Sequence, residues 1–280
     1  MKIGCHISIS DGIENSCMKA SELECESFQI FTQNQRQWVS KLYNEAEIDL
    51  FRAKRRDFGY ENSKIISHAS YLINLCAVDS EKLQKSRNAF RDELLRSDTL
   101  GIDGVVIHPG SHGGVGESRG IETIATSINE ILMSYNPKVQ ILLETIAGQG
   151  TGVGYNFEQL YDIFNRIEKK QHIGICLDTC HIFAAGYSIR NRKEWDLVLE
   201  KIESSIGIRK IGAIHLNDSK FECGSKKDRH ASIGNGFIGR RGFESLINIE
   251  EFKDIPAILE VPGGDTVFQD NIQLLKSFRI

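Results

Sequence analysis

Short apolar runs alternate with stretches whose apolar residues recur every three or four positions, from one end of the chain to the other. Eight runs read as strands: residues 3–7, 28–32, 64–69, 104–108, 139–144, 173–178, 211–216 and 257–261. Several are almost continuously apolar, as parallel strands covered on both faces are. The stretches between them carry helical spacing. Phe157, Leu160, Tyr161, Phe164 and Ile167 repeat on one face, with Asn156 and Gln159 ahead of them as a capping box. Trp195, Val198, Leu199, Ile202 and Ile206 form a second stripe, and Ile121, Ile124, Ala125, Ile128 and Leu132 a third. Each predicts a helix packed on a core. A longer helix starting near Ser80 is predicted to stop at Gly101, a glycine suited to the left-handed turn that ends a helix.

Eight strand–helix units, with no Pro/Gly/Ser-rich linker, internal repeat or low-complexity tract, predict an α/β protein of one domain spanning residues 1–280. The expected architecture is a closed (β/α)₈ TIM barrel, which typically takes about 250 residues. An open doubly wound sheet is the alternative, with its ligand at the crevice where strand order reverses.

Composition changes this picture little. Apolar residues make up 40% and charged residues 26%, an ordinary globular balance. The first ten residues, MKIGCHISIS, hold one lysine and no long apolar run, so no secretory signal is expected. No run of about 18 apolar residues suggests a membrane span. The seven cysteines are odd in number, scattered and free of any CxxC pair, which fits free thiols in a reducing cytoplasm. The formal net charge of −4 does not recommend a nucleic-acid partner. Three bound divalent cations would reverse that sign, however, and Lys226, Lys227, Arg229, Arg240 and Arg241 fall in loops assigned to one end of the barrel.

That end is where barrels of this kind carry their chemistry, at the C-termini of the strands. The candidate strands finish at or beside His6, Thr32, His68, His108, Glu144, Asp178, His215 and Glu260. Seven of these eight are histidine or carboxylate, in a chain with 8 His and 38 Asp plus Glu among 280 residues. Polar groups buried at the ends of apolar strands cost several kcal/mol unless paired or metal-bound. Imidazole nitrogens and carboxylate oxygens suit zinc, manganese or iron without any thiolate. Glu144 and Asp178 each have two oxygens and could bridge two ions, and paired ions can clamp a phosphodiester. A second group lies beyond the strand ends. Asp178 is followed by His181 in LDTCH, and a loop carries Asp228 and His230 in KKDRHASIG. Alternate positions of an extended loop point the same way, so these two could grip one ion with His181.

At these residues the chain closely resembles the endonuclease IV family of apurinic/apyrimidinic endonucleases, along essentially its whole length. The matching stretches are NQRQW (34–38), HASYLINL (68–75), HPGSH (108–112), LETIAGQG (143–150), LDTCHIFAAGY (177–187), HLNDSK (215–220) and KDRHASIGNGFIG (227–239). The resemblance implies three zinc ions, with manganese or iron acceptable at some sites. One would be held by His68, His108 and Glu144, and Glu144 would bridge to a second held by Asp178, His215 and Glu260. The third would be held by His181, Asp228 and His230. It further implies that Arg36, Tyr71 and Leu72 enter double-stranded DNA at an abasic site, where the lesion costs least to flip out. The implied reaction is hydrolysis 5′ to the abasic nucleotide, with Glu144 and Glu260 as catalytic residues, and removal of 3′-blocking groups. A cytoplasmic monomer is expected.

The sequence departs from the family at Ile146, where threonine is frequent, at Asn235, where an acidic residue is frequent, and in LEVPGG after the last strand. Two rival readings are a metal-dependent sugar isomerase or epimerase of the same barrel superfamily, which binds one or two ions, and a non-catalytic binder of damaged DNA. The His181/Asp228/His230 group speaks against the first and the intact ligand set against the second. Other residues read more plainly. His6 would back the ligands, His112 would hydrogen-bond within a loop, and His172 would lie at the surface. Cys180 suits a small buried thiol. The run 148–154 lacks a following Gly-Lys-Ser/Thr, so it is a compact loop rather than a P-loop.

Overall fold

In the computed structural model, which describes residues 1–38 and 42–280, the eight apolar runs close into one barrel. Its strands are β1 (Lys2–Ile7), β2 (Phe28–Ile30), β3 (Ile65–His68), β4 (Gly104–Ile107), β5 (Gln140–Glu144), β6 (Ile173–Asp178), β7 (Ile211–His215) and β8 (Pro256–Leu259). Each pairs in parallel with its sequence neighbours, and β1 closes the ring against β8 with Ile3 opposite Ala257. The helices are α1 (Ser16–Glu22), α2 (Glu45–Asp57), α3 (Ser80–Leu100), α4 (Glu117–Ser134), α5 (Phe157–Arg166), α6 (Thr179–Ala185), α7 (Arg192–Ser205), α8 (Arg240–Ile247) and α9 (Asp265–Ser277). None of the described helices is long and apolar enough to cross a membrane.

Local chemistry sets the helix ends. Asp79 caps α3 by accepting from the Lys82 N–H, and Gly101 ends it with φ 77°, a conformation that costs glycine little. The predicted capping box on α5 is only half formed. Asn156 accepts from Gln159 N–H at 2.8 Å, but the Gln159 side chain turns away to satisfy the buried N–H of Gly154 at 2.7 Å. The predicted α5 stripe also shifts. Phe157, Leu160, Ile163 and Ile167 are buried, whereas Tyr161 is exposed and Phe164 only half-buried, because the ridge runs through Ile163. On α7, Trp195, Val198, Ile202 and Ile206 are buried and Leu199 half-buried. The α4 stripe is buried throughout.

Strand periodicity positions the site. Outward residues such as Ile65, Val105, Ile141 and Ile175 join the main core beneath the helices. The inward set Ile66, Val106, Leu142, Cys176, Ala213 and Ile258 forms a separate apolar plug inside the barrel. Below it, Gly174 and Gly212 leave room for β5 side chains. A Cβ there would come within 2.8 Å of the Gln140 amide nitrogen and 2.6 Å of Leu142 Cδ2, respectively. Two residues beyond each plug residue, on the same face, stand His68, His108, Glu144, Asp178, His215 and Glu260. His108 and Glu260 lie one residue past the ends of β4 and β8. Two short antiparallel ladders staple the loops above: Gly110–Ser111 with Gly152–Val153, and Asp218–Ser219 with His230–Ala231.

Candidate metal centre

Glu144, on β5, stands at the centre of the rim and is almost fully buried. Its Oε2 lies 3.0 Å from His68 Nε2 and 3.1 Å from His108 Nε2. Its Oε1 lies 3.0 Å from His215 Nδ1 and 3.4 Å from His181 Nδ1. His215 Nδ1 also approaches Glu260 Oε2 at 3.2 Å and Asp178 Oδ2 at 3.7 Å. Beyond them, Asp228 spans two imidazoles, with Oδ2 3.2 Å from His181 Nε2 and Oδ1 3.2 Å from His230 Nε2. His230 Nε2 also reaches Asp178 Oδ2 at 3.8 Å. All nine residues singled out in the sequence thus converge. Eight of them fall into groups whose nitrogen and oxygen atoms lie within 4.8 Å of one another: His68/His108/Glu144, Glu144/Asp178/His215/Glu260 and Asp178/His181/His230; Asp228 groups with His230 and Cys180.

The outer hydrogen bonds of the imidazoles decide what the inner nitrogens can do. His68 Nδ1 donates to the Ala69 carbonyl at 2.7 Å, His181 Nδ1 to the Thr145 carbonyl at 2.7 Å, and His230 Nδ1 to the Glu260 carbonyl at 3.2 Å. A carbonyl can only accept, so each outer nitrogen carries the proton. Each inner nitrogen of the neutral ring is then a lone pair 3.0–3.2 Å from a carboxylate oxygen, which offers only lone pairs in return. Such facing acceptors need a cation between them, either a proton or a metal. His230 Nε2 makes no hydrogen bond despite its burial, since the nearby Asp228 oxygen lies out of line. Nitrogen and oxygen donors, buried, with outer partners that fix their tautomers, fit divalent zinc.

The electrostatics agree. Burial alone pulls the His181 imidazole down, but Asp178, Asp228 and Glu144 more than offset it and hold its pKa well above the ordinary value. Burial likewise pulls the Glu144 carboxyl up, yet His108 and His215 outweigh it and hold it well below the usual range. The site therefore attracts cations of any kind. His6, half-buried, is pushed down to about 4 by desolvation and stays neutral.

Sequence reasoning missed the residues that brace this cluster. Gln29, in the middle of β2, bonds His215, Glu260 and His6. Asn217 donates to Asp178 Oδ2 at 2.7 Å and accepts from the Glu260 N–H at 2.9 Å. Asp218 is buried and gathers the N–H groups of Ser219, Gly234, Gly236, Ile238 and Gly239, folding the loop that carries Asp228 and His230. The signal available for all three was a polar residue inside an apolar strand or at its end.

A cavity of about 330 Å³ opens beside the cluster, lined by His68, Tyr71, His108, Ile146, His181 and Asp228 among others. Tyr71 lies in a turn after β3, 60% exposed, its ring centroid 5.3 Å from that of His68 and 5.9 Å from that of His108. Leu72 beside it is half-buried, and Arg36 is exposed on the loop after β2. Cys180 comes close to Asp228 and His230, but burial pushes its thiol up to about 12, which keeps it protonated. His112 Nδ1 accepts from Gly114 and Gly116 N–H groups within its loop. His172 is half-buried in a single turn leading into β6 rather than fully at the surface. Arg240 and Arg241 open α8 instead of lying in a loop.

Comparison with known proteins follows the same lines. The chain matches the family described as Xylose isomerase-like TIM barrel over residues 17–278. A protein of Chlorobium phaeobacteroides (strain BS1) named "Probable endonuclease 4" is 43% identical over 277 residues, covering 99% of this chain and 97% of that one. A protein of the same name from Chloroflexus aurantiacus (strain ATCC 29366 / DSM 635 / J-10-fl) is 41% identical over 279 residues, with 99% and 97% covered. Among solved structures, endonuclease IV from Thermus thermophilus superposes with a TM-score of 0.87 at 31% identity, covering 99% of this chain and 98% of that one. A D-tagatose 3-epimerase-like protein, 20% identical with a TM-score of 0.74, shares the barrel alone.

Proposed function

This chain belongs to the endonuclease 4 family, and on that premise we propose that it hydrolyses the phosphodiester 5′ to an abasic nucleotide in duplex DNA, using three zinc ions. The enzyme is a nuclease, a hydrolase acting on phosphodiesters. The products are a 3′-hydroxyl and a 5′-deoxyribose phosphate, and the same chemistry removes 3′-blocking groups. It acts as a cytoplasmic monomer whose one domain fills residues 1–280.

The observation that carries this reading is the set of imidazole nitrogens that meet carboxylate oxygens at 3.0–3.2 Å across the rim. His68, His108 and Glu144 would hold one ion, and Asp178, His215 and Glu260, sharing Glu144, a second. His181, Asp228 and His230 would hold the third; manganese or iron can replace zinc on such donors. Bound ions supply Lewis-acid charge for the phosphate and make the attacking water acidic enough to ionise near neutral pH. Glu144 and Glu260 orient that water. Its oxygen bonds to phosphorus as the P–O3′ bond breaks, and O3′ leaves with a proton as the new 3′-hydroxyl. Tyr71 and Leu72 fill the gap left in the base stack, and Arg36 holds the strand beside it. His108 and Asp228, with side chains 35% and 40% exposed, line the wall that the phosphate meets.

A duplex bearing one abasic analogue, incubated with purified protein whose zinc content is measured on the same sample, tests this. One nick 5′ to the lesion with three zinc ions per chain is expected. An uncut duplex with three ions bound would favour a damage binder, and two ions or fewer would favour the sugar isomerase.

A further inference from the structure

Gln29 makes no contact with solvent and occupies the centre of β2, between the outward-facing Phe28 and Ile30. Its amide nitrogen donates to Glu260 Oε1 at 2.7 Å and to His6 Nδ1 at 3.0 Å. An ionised carboxylate can only accept, so the atom facing Glu260 is the NH₂ group, and the amide oxygen must face the other way. That oxygen sits 2.8 Å from His215 Nε2. An amide oxygen likewise only accepts, so the His215 proton is on Nε2. Nδ1 is left as the lone pair, aimed at Glu144 Oε1 and Glu260 Oε2.

We propose that Gln29 is a positioning residue that makes the second ion site, by fixing the His215 tautomer and the Glu260 carboxylate with one amide. The other imidazoles whose outer bonds are resolved take their tautomer from main-chain carbonyls, which no substitution removes. His215 depends on a side chain, so its tautomer can be unset by changing one residue outside the ligand set. Without the amide, Nδ1 and Nε2 of His215 compete for the proton, and Glu260 Oε1 loses its donor. An outer partner of this kind is worth about 10- to 100-fold in metal affinity. The inference rests on the reading of the cluster as a metal centre.

Gln29→Met removes the amide at nearly constant volume. Zinc-loaded native protein and variant are titrated with a competing chelator, and the ions lost at each step are counted. Cobalt-substituted samples report the geometry of each site by their visible spectra, and melting of the zinc-free proteins reports the fold. One ion of three is expected to leave the variant at about 10- to 100-fold lower chelator concentration. The other two should be released as in the native chain, with the zinc-free melting temperatures alike. Should Gln29→Met fail to fold, Gln29→Asn, which keeps an amide and withdraws it by one methylene, is expected to weaken the same single site. Identical release curves for native and variant protein would overturn the role of Gln29 and leave the metal centre standing. A native protein that takes up no zinc would overturn both.

Discussion

His68 Nε2 and Glu144 Oε2 face each other at 3.0 Å, and with the neutral imidazole, whose only proton is committed to the Ala69 carbonyl, the contact sets lone pair against lone pair. Glu144→Gln should end that opposition, since an amide can donate to His68, and it should remove the oxygen shared between two ion sites. Cutting is expected to fall by more than the roughly hundredfold that loss of an outer partner costs. Abasic duplex should still be retained in a gel-shift assay. A Glu144→Gln protein that nicks at the native rate would refute the role.

The third group is separable from the rest. Asp228 and His230 lie on a loop above the strand ends, so His230→Ala should lose one zinc per chain and leave two. Elemental analysis of the purified variant gives the count. Retention of three ions would remove His230 from the ligand set.

Stability of the zinc-free protein should depend on pH in a defined direction. Burial draws the His230 imidazole down, but Asp228 and Asp178 lift it to about 9 against an ordinary 6.5. Its contribution is therefore complete below pH 6.5 and lost as pH rises through about 9. Glu260, raised by burial but lowered more by His215, stands at about 2 against 4.5, so its contribution is complete above 4.5 and lost as pH falls through about 2. The chelated protein should melt highest between pH 4.5 and 6.5 and lower at pH 9. Zinc should abolish the alkaline fall, because the ions then stand where the protons stood. A melting temperature of the chelated protein that is level from pH 6 to 9 would contradict this.

Tyr71 is exposed at the cavity mouth, and its removal leaves the core untouched. Stacking of an aromatic ring on a base is worth about 1–3 kcal/mol. Tyr71→Ala should thus weaken binding to abasic duplex by about tenfold, with the melting temperature unchanged. Equal affinities measured by fluorescence anisotropy would exclude Tyr71 from the interface.

Asp218 accepts N–H groups from five residues of one loop and has no lone pair to spare for an ion. Asp218→Asn puts a donor where those donors converge and should cost about 1–3 kcal/mol of stability. A lower melting temperature, together with looser binding of the zinc ion proposed for Asp228 and His230, is the expected outcome. An unchanged melting temperature would mean that the loop is held by other means.

How much was legible follows from periodicity. The inward residues of β3 to β8 alternate with outward ones, so the step from Ile66 to His68, or from Cys176 to Asp178, carries the chain from plug to rim on one face. That step is visible as an apolar run ending in a histidine or a carboxylate, and it marks six of the nine residues that converge at the rim. His181, Asp228 and His230 became credible only beside that ring, since a D-x-H loop looks like any solvated turn. Gln29 left only a faint signal, one polar residue inside an apolar strand. A single glutamine in SFQIF shows no spacing, and its meaning lies in partners on three other segments, including one 231 positions away. On α5, reading Tyr161 as buried failed because several spacings of the same apolar residues fit a helix face equally well, and only packing selects Ile163.

The apolar plug under the rim has a consequence for exchange. Ile66, Val106, Leu142, Cys176, Ala213 and Ile258 seal the cylinder from below, so ions and chelators would reach the proposed ligands from above, past Tyr71 and His108. A duplex lying over that opening would then act as a stopper: the enzyme would be hardest to strip of its ions while it is at work on damage, and most vulnerable between one lesion and the next.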